Sequence, residues 1–243
     1  MKSRKYIDDL YSRLEDQKND FRNSNLTELL LNFLKGNELL DIGCGVGYFL
    51  DKARQRGVRV WGIEPDKALI KLSKRYFGEL NITEGSWKAI YKFHRKFGTI
   101  VLVDVLEHIE DDKAVMMAVN SKLCSNGRVI VLVPAHKFMY GKRDSKLGHV
   151  RRYSKNELVS KLEESSFRII RIRYWNAIGV LPYIVYEKIL GREIDSRIRF
   201  KSSGGMIMKV ARFILDKWFK FVENNFNFGF GLSLIAVAEK LGS

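Results

Sequence analysis

The sequence predicts a doubly wound α/β domain, a mostly parallel sheet between two layers of helices. Two features carry this reading. From Glu38 onward, short apolar runs alternate with segments of helical spacing, the rhythm of strand–helix–strand units. The runs "ELLDI", "VRVWGIE", "TIVLVDV" and "GRVIVLVPA" are apolar on both faces, as strands are when helices cover both sides of a parallel sheet. With 243 residues, 46% of them hydrophobic, the chain can bury one core of ordinary size and carry a small appendage.

Residues 1–36 are predicted as two helices. Ile7, Leu10, Tyr11 and Leu14 recur at helical spacing, then Leu29, Leu30 and Phe33, with Gly36 as a C-terminal cap. The core follows over residues 37–175 and closes with 230–243. Its later elements are the helix "SKNELVSKLEES", with a capping box in Ser154 and Glu157, the strand "FRIIRIRYW", and a last strand "SLIAVAEK". Between these strands the rhythm breaks, and 176–229 reads as a helical insertion. In it "GVLPYIVYEKIL" is apolar but interrupted by Pro182. The stretch "GGMIMKVARFILDKWFKFVEN" is amphipathic, with Ile207, Val210, Ile214, Leu215, Trp218 and Phe221 on one side and Lys209, Arg212, Asp216 and Lys220 on the other. It is expected to be either a lid with its apolar side packed inward or a helix lying on a membrane surface. The basic stretch around Arg192, Arg197, Arg199 and Lys201 is a solvated loop or a phosphate contact.

Chemistry concentrates at the strand ends. "LLDIGCGVGYFL" sets Gly43, Cys44, Gly45 and Gly47 between the first strand and its helix, where glycines let a ligand approach the backbone and the helix N-terminus offers N–H groups. The spacing is GxGxG, one residue shorter than the dinucleotide fingerprint. The strand also ends in an acid, Asp41, which repels a pyrophosphate and suits a cationic amino-acid head. Glu64, followed by Pro65, closes the second strand 17 residues after Gly47, where a carboxylate can accept both ribose hydroxyls. Asp104 closes the fourth strand in "LVDVLEHIEDD".

Together these motifs resemble the class I S-adenosylmethionine-dependent methyltransferases, the broad group with "DxGCGxG" and "DVLEHI" motifs that methylates small molecules, quinone precursors and glycans. The resemblance runs from Leu39 to Phe167 and includes "GLSLIAVAEK". It implies a seven-stranded sheet with an antiparallel last strand and S-adenosylmethionine as cofactor. It also implies that Asp41, Gly43, Cys44, Gly45 and Gly47 line the methionine and ribose, Glu64 and Pro65 the ribose, and Asp104, Val105 and His108 the methionine end. After the third strand the family often has an acid facing adenine; here "EGSW" offers Ser86 and Trp87 instead.

On the acceptor side the candidates are His136 after the fifth strand and the loop "GHVRRYS", with His149, Arg151, Arg152 and Tyr153. Related sequences carry a similar "GHxRRY" segment. His149 or His136 would serve as a base, and the arginines either grip an acceptor phosphate or carboxylate or clamp the loop against an acid such as Asp144.

Forty-three Lys and Arg against 28 Asp and Glu give a net charge of +15, which favours an anionic or lipid-like acceptor and contact with an anionic membrane. A cytoplasmic protein is expected. The N-terminal segment has no apolar signal-peptide core and no run of about 18 apolar residues occurs. Two cysteines cannot alone build a disulfide framework or a metal site, and no metal is expected. The alternatives are an RNA methyltransferase, disfavoured by the lack of an appended RNA-binding module or an "NPPY"-type motif, and a cofactor-binding protein without turnover. For the glycine loop alone, a nicotinamide dehydrogenase is the competing reading.

Overall fold

The computed structural model describes residues 20–191 and 205–242. Seven strands form one sheet: β1 Glu38–Ile42, β2 Arg59–Glu64, β3 Asn81–Glu84, β4 Phe97–Val103, β5 Leu123–Pro134, β6 Phe167–Trp175 and β7 Ser233–Lys240. Their order is β3-β2-β1-β4-β5-β7-β6. β1 to β5 pair in parallel, while β7 runs antiparallel between β5 and β6. This is the predicted doubly wound sheet with its antiparallel last strand.

The central strands read as unbroken apolar runs because both faces are covered. On one face Ile100, Leu102, Val129 and Val131 pack with Ile90, Val115 and Leu158; on the other Leu39, Val101, Ile130 and Val237 pack with Leu30 and Leu50. The helices are α1 Phe21–Leu31, α2 Tyr48–Gln55, α3 Lys67–Phe77, α4 Asp112–Lys122, α5 Lys142–Leu147 and α6 Lys155–Glu164. Two more, α7 Val180–Tyr183 and α8 Met206–Lys217, each continue into a wider turn, Ile184–Ile189 and Trp218–Glu223.

Two expectations change in detail, and two fall outside the described residues. The helix expected to close at Gly36 ends at Leu31 with Asn32 as cap; Gly36, at φ 71°, makes the turn into β1. The helix around Ile7 to Leu14 and the basic stretch Arg192 to Lys201 lie outside the described residues. Ser154 caps α6 by accepting the Glu157 N–H at 3.3 Å, but the Glu157 carboxylate pairs with Lys137 at 3.0 Å.

The two expectations for α8 place its apolar side differently, inward for a lid and outward for a surface helix. Arg212 and, in the following turn, Phe219 and Glu223 face inward, while Ile207, Val210, Phe213, Ile214 and Phe221 are exposed. Of the stripe that a lid would pack inward, only Leu215 and Trp218 reach the core, half-buried. The cause is polar anchoring. Asn25 of α1 donates to Asp216 at 2.8 Å, and Glu223 accepts the Ala177 N–H at 3.0 Å and the Trp218 indole at 3.2 Å. Arg173, fully buried on β6, donates to the carbonyls of Glu223, Asn224 and Phe226 and so caps the helix end. Pro182 does not interrupt α7: it falls in the first turn, where a missing N–H costs little.

Candidate active site

Because β1, β2, β4 and β5 are parallel, the loops after them emerge on one edge, and the strand order reverses between β1 and β4. Such a switch point is where open α/β sheets bind ligands. The predicted residues meet there.

After β1 the chain turns through three glycines with positive φ: Gly43 at 73°, Gly45 at 56° and Gly47 at 79°, the last being the N-cap of α2. A methyl group on Gly43 would lie 2.6 Å from Val105 Cγ2, so that glycine lets the β4 loop close in. A methyl on Gly45 would meet nothing within 4 Å. Gly45 thus presents bare backbone to open space, the cradle a ligand needs. Its N–H is held by Glu64 Oε2 at 2.8 Å, and Glu64 Oε1 accepts the Asp66 N–H at 2.9 Å. The Glu64 carboxylate is thereby fixed at the end of β2, on the cleft side of the glycine turn.

Asp41 is buried, and burial together with the Glu64 charge holds its carboxyl well above the usual range. A cationic ligand head would relieve this. Cys44 is buried, its thiol pushed up by burial, Asp41 and Glu64, so it is inert packing. Past β3, Gly85 N–H bonds the Glu64 carbonyl at 3.1 Å, which sets exposed Ser86 beside the Glu64 end of the cleft; Trp87 is half-buried against the core, and Pro65 is exposed.

On the other side, Asp104 sits one residue past β4 at φ 52°. Val105 leads into the turn Leu106–His108, which buries Glu107 completely and exposes His108. Among the described residues neither carboxyl oxygen of Glu107 has a hydrogen-bond partner, and burial and the Asp104 charge push its pKa well up. His108 Nδ1 lies 3.1 Å from the Gly148 carbonyl, and its ring meets His149 edge-to-face at 4.8 Å.

The segment Gly148 to Ser154 is pinned along its length. His149 N–H bonds the Asp144 carbonyl at 2.9 Å, Val150 N–H the Glu107 carbonyl at 2.7 Å, and Tyr153 bridges to β5 through Pro134 and His136 at 2.9 Å each. Asp144, at the start of α5, collects His149 Nδ1 at 3.0 Å, Arg152 Nε at 2.8 Å and the Gly141 N–H at 3.0 Å. Burial alone would raise its carboxyl, but those bonds and the Arg152 charge bring it down to about 2. Arg152 also donates to the Ala135 carbonyl and to the Tyr183 hydroxyl of α7, at 3.3 and 2.8 Å.

Two acceptor-side candidates therefore turn inward. Arg152 is the loop's own clamp, not a free fork. Tyr153 is fully buried with its hydroxyl 2.8 Å from Asp112, and burial raises its pKa, so it is a strut. Arg151 clamps to the same Asp112, at 3.2 Å. His149 is 12% exposed, with Nε2 4.0 Å from Glu107 Oε1. His136, at φ 64°, stacks on Tyr174 at 5.1 Å, and burial lowers its pKa. Sequence reasoning missed Glu107 and Tyr183. Glu107 lay within the quoted motif, but nothing in a pattern tells which carboxylate of an "EHIEDD" run is buried.

The fold and cleft are those of a class I S-adenosylmethionine-dependent methyltransferase. The chain belongs to the methyltransferase domain family, whose model matches residues 12–172. Among curated proteins it is similar to the mitochondrial ubiquinone biosynthesis O-methyltransferase of Schizosaccharomyces pombe, 26% identical over 129 residues, 49% of this chain and 47% of that protein. It is also similar to the ubiquinone biosynthesis O-methyltransferase of Alkalilimnicola ehrlichii, 26% identical over 106 residues, 41% of this chain and 42% of that one. The chain thus spans about half the length of the curated relatives it matches. Among solved structures, a SAM-dependent methyltransferase from Archaeoglobus fulgidus matches over 95% of this chain and 100% of that chain, with TM-score 0.60 and 18% identity. A S-adenosylmethionine-dependent methyltransferase from Mesorhizobium loti matches over 88% and 96%, with TM-score 0.59 and 15% identity. These two show the fold.

Proposed function

We propose that the protein is an S-adenosylmethionine-dependent methyltransferase acting on an oxygen of a small-molecule, lipid-linked or glycan acceptor. The observation that carries this is the pair of buried acids Asp41 and Glu64 flanking a glycine turn whose middle residue, Gly45, faces open space. Their chemistry fits the cofactor: Asp41 for the ammonium end, Glu64 for the ribose diol, Ser86 and Trp87 for the adenine side, Asp104 and Val105 for the methionine end.

The bound cofactor supplies an activated methyl group on sulfur. The chain's work is positioning, which accounts for about 7–11 kcal/mol of a barrier when reacting atoms are held in line. The β1 and β2 loops orient one partner. His149 activates the other: with Nδ1–H donated to Asp144, its Nε2 keeps a lone pair to accept a proton from an acceptor hydroxyl. The O-methyltransferase names of the curated relatives support oxygen as the acceptor atom. Helix α7 borders this side, tied to the loop by Tyr183 and by Glu187, which pairs with Arg143 at 2.7 Å. Calorimetry with S-adenosylmethionine and its demethylated product is the direct test. Micromolar binding that Glu64→Ala removes supports the reading, and no binding of either ligand overturns it.

The exposed stripe of α8 supports contact with an anionic membrane and hence a lipid-like acceptor. Ile207 is 86% exposed, Phe213 62% and Ile214 61%, and Lys209, Lys217 and Lys220 are exposed beside them. Apolar side chains enter a bilayer interface while lysines meet its headgroups. Among the described residues no helix is long and apolar enough to cross a membrane. Flotation with phosphatidylserine-containing vesicles should carry the protein upward, and Phe213→Ser with Ile214→Ser should leave it at the bottom. Equal behaviour of both proteins would remove the membrane from the proposal.

A further inference from the structure

Glu107, His108 and His149 each place one ligand atom within 4.8 Å of the other two, and Glu107 Oε1 lies 4.0 Å from His149 Nε2. Three features separate this cluster from a chance gathering of polar groups.

Glu107 is 0% exposed, and among the described residues both its carboxyl oxygens lack a hydrogen-bond partner. A buried carboxylate without a partner costs several kcal/mol, so a chain that keeps one normally has something for it to hold. Second, both histidines have the other nitrogen occupied. His108 Nδ1 is bonded to the Gly148 carbonyl and His149 Nδ1 to the Asp144 carboxylate, at 3.1 and 3.0 Å. Donating Nδ1–H to a carbonyl or carboxylate leaves the lone pair on Nε2, which is how metal-binding imidazoles are oriented. Third, the cluster runs from surface to core: His108 is exposed, His149 is partly so and Glu107 is buried.

From this we infer that Glu107, His108 and His149 bind a divalent transition cation at the acceptor side of the cleft. Two imidazoles and one carboxylate suit zinc or iron(II), whereas magnesium and calcium favour all-oxygen sets. Ligands about 2.1 Å from a tetrahedral ion stand about 3.4 Å apart, so the cluster must contract by about 1 Å, and the exposed His108 has the freedom to do this. Three protein ligands leave a coordination position toward the cleft, where an acceptor oxygen would enter. The inference departs from the absence of a metal expected from the two cysteines. It deepens the proposed function by one change, since with Nε2 holding the ion the acceptor oxygen is activated by the cation and not by proton transfer to His149, and it rests on that reading only for what the ion does.

The test uses the full chain, stripped with chelator and titrated with cobalt(II), then with zinc. One equivalent of cobalt should give a visible d–d absorption that zinc abolishes. Glu107→Gln and His149→Ala should each weaken cobalt binding at least tenfold, and Cys124→Ser, which alters the exposed thiol, should not. In chelator Glu107→Gln should unfold no earlier than the parent, because it removes a buried unpartnered carboxylate; this shows that loss of cobalt binding is not loss of fold. Absence of the absorption, or binding unchanged in both ligand variants, overturns the inference. S-adenosylmethionine calorimetry on the same samples keeps the two claims apart. Cofactor binding without cobalt binding sinks only the cation site, and cobalt binding without cofactor binding sinks the methyltransferase reading.

Discussion

Asp144→Asn tests how the acceptor-side loop is held. The carboxylate is 1% exposed and accepts three hydrogen bonds, one from the Arg152 guanidinium, itself only 6% exposed. Asparagine keeps the shape but removes the charge and turns one acceptor into a donor. Breaking a buried pair by neutralising one partner costs about 3–5 kcal/mol. Arg152 retains the Ala135 carbonyl and the Tyr183 hydroxyl, which puts this case near the lower end, about 3 kcal/mol. The assay is urea unfolding of chelator-treated protein, followed by fluorescence. With a slope of about 2–3 kcal/mol per molar, the midpoint should fall by roughly 1 M. Cofactor affinity should stay within about twofold, because Asp144 lies across the cleft from Glu64. The double variant Asp144→Leu with Arg152→Met should lose less than the sum of its single changes, since it removes both buried charges together. A loss under about 1 kcal/mol, or additive single changes, would refute the view that this pair clamps the loop.

The glycine turn separates folding from binding. Gly43→Ala should destabilise by about 2 kcal/mol, because its methyl would clash with Val105 at a positive φ. Gly45→Ala should cost only about 1 kcal/mol in denaturant yet weaken S-adenosylmethionine binding more than tenfold by calorimetry, since its methyl would fill the cradle. Asp41 gives the pH dependence. Its folded pKa is raised by burial and by Glu64, so its contribution to stability is full below the unfolded value of about 4 and is lost as pH rises through the folded value. Asp41→Asn should therefore flatten the fall in urea midpoint across that window while abolishing the gain in cofactor affinity that accompanies ionisation. A parent midpoint that climbs over the same window would contradict this. Glu64→Gln should weaken cofactor binding by roughly 10-fold to 100-fold, the worth of about two charge-assisted hydrogen bonds reduced to neutral ones.

How far a sequence discloses a site depends on what fixes each residue. The sheet was legible because Leu39, Ile100 and Val131 belong to runs apolar on both faces, and only a covered parallel strand explains that pattern. The geometry of the candidate cofactor side was legible for the same local reason: Asp41, Gly45 and Glu64 are placed by strand ends and by a turn with positive φ, so their spacing along the chain sets where they lie. The placement of α8 stayed open between two readings because amphipathic spacing says which residues share a face but not which face is inside. The deciding contacts come from Asn25 and Arg173, far away in the chain, which draw Asp216 and the carbonyls after Phe219 inward.

The acceptor loop fails to be legible in a more instructive way. "GHVRRYS" offers four polar side chains that look alike to a reader of the sequence. The fold divides them by what it buries opposite each. Asp112 takes Arg151 and Tyr153, Asp144 takes Arg152 and orients His149, and so the arginines and the tyrosine are consumed in making the loop rigid. One imidazole is left outside these clamps, its Nδ1 on an acid whose pKa is held down to about 2 and which is therefore charged at neutral pH. On the proposed function the cluster acts through that remainder. The three bonded partners make the loop around it rigid, the support that a positioned functional group requires.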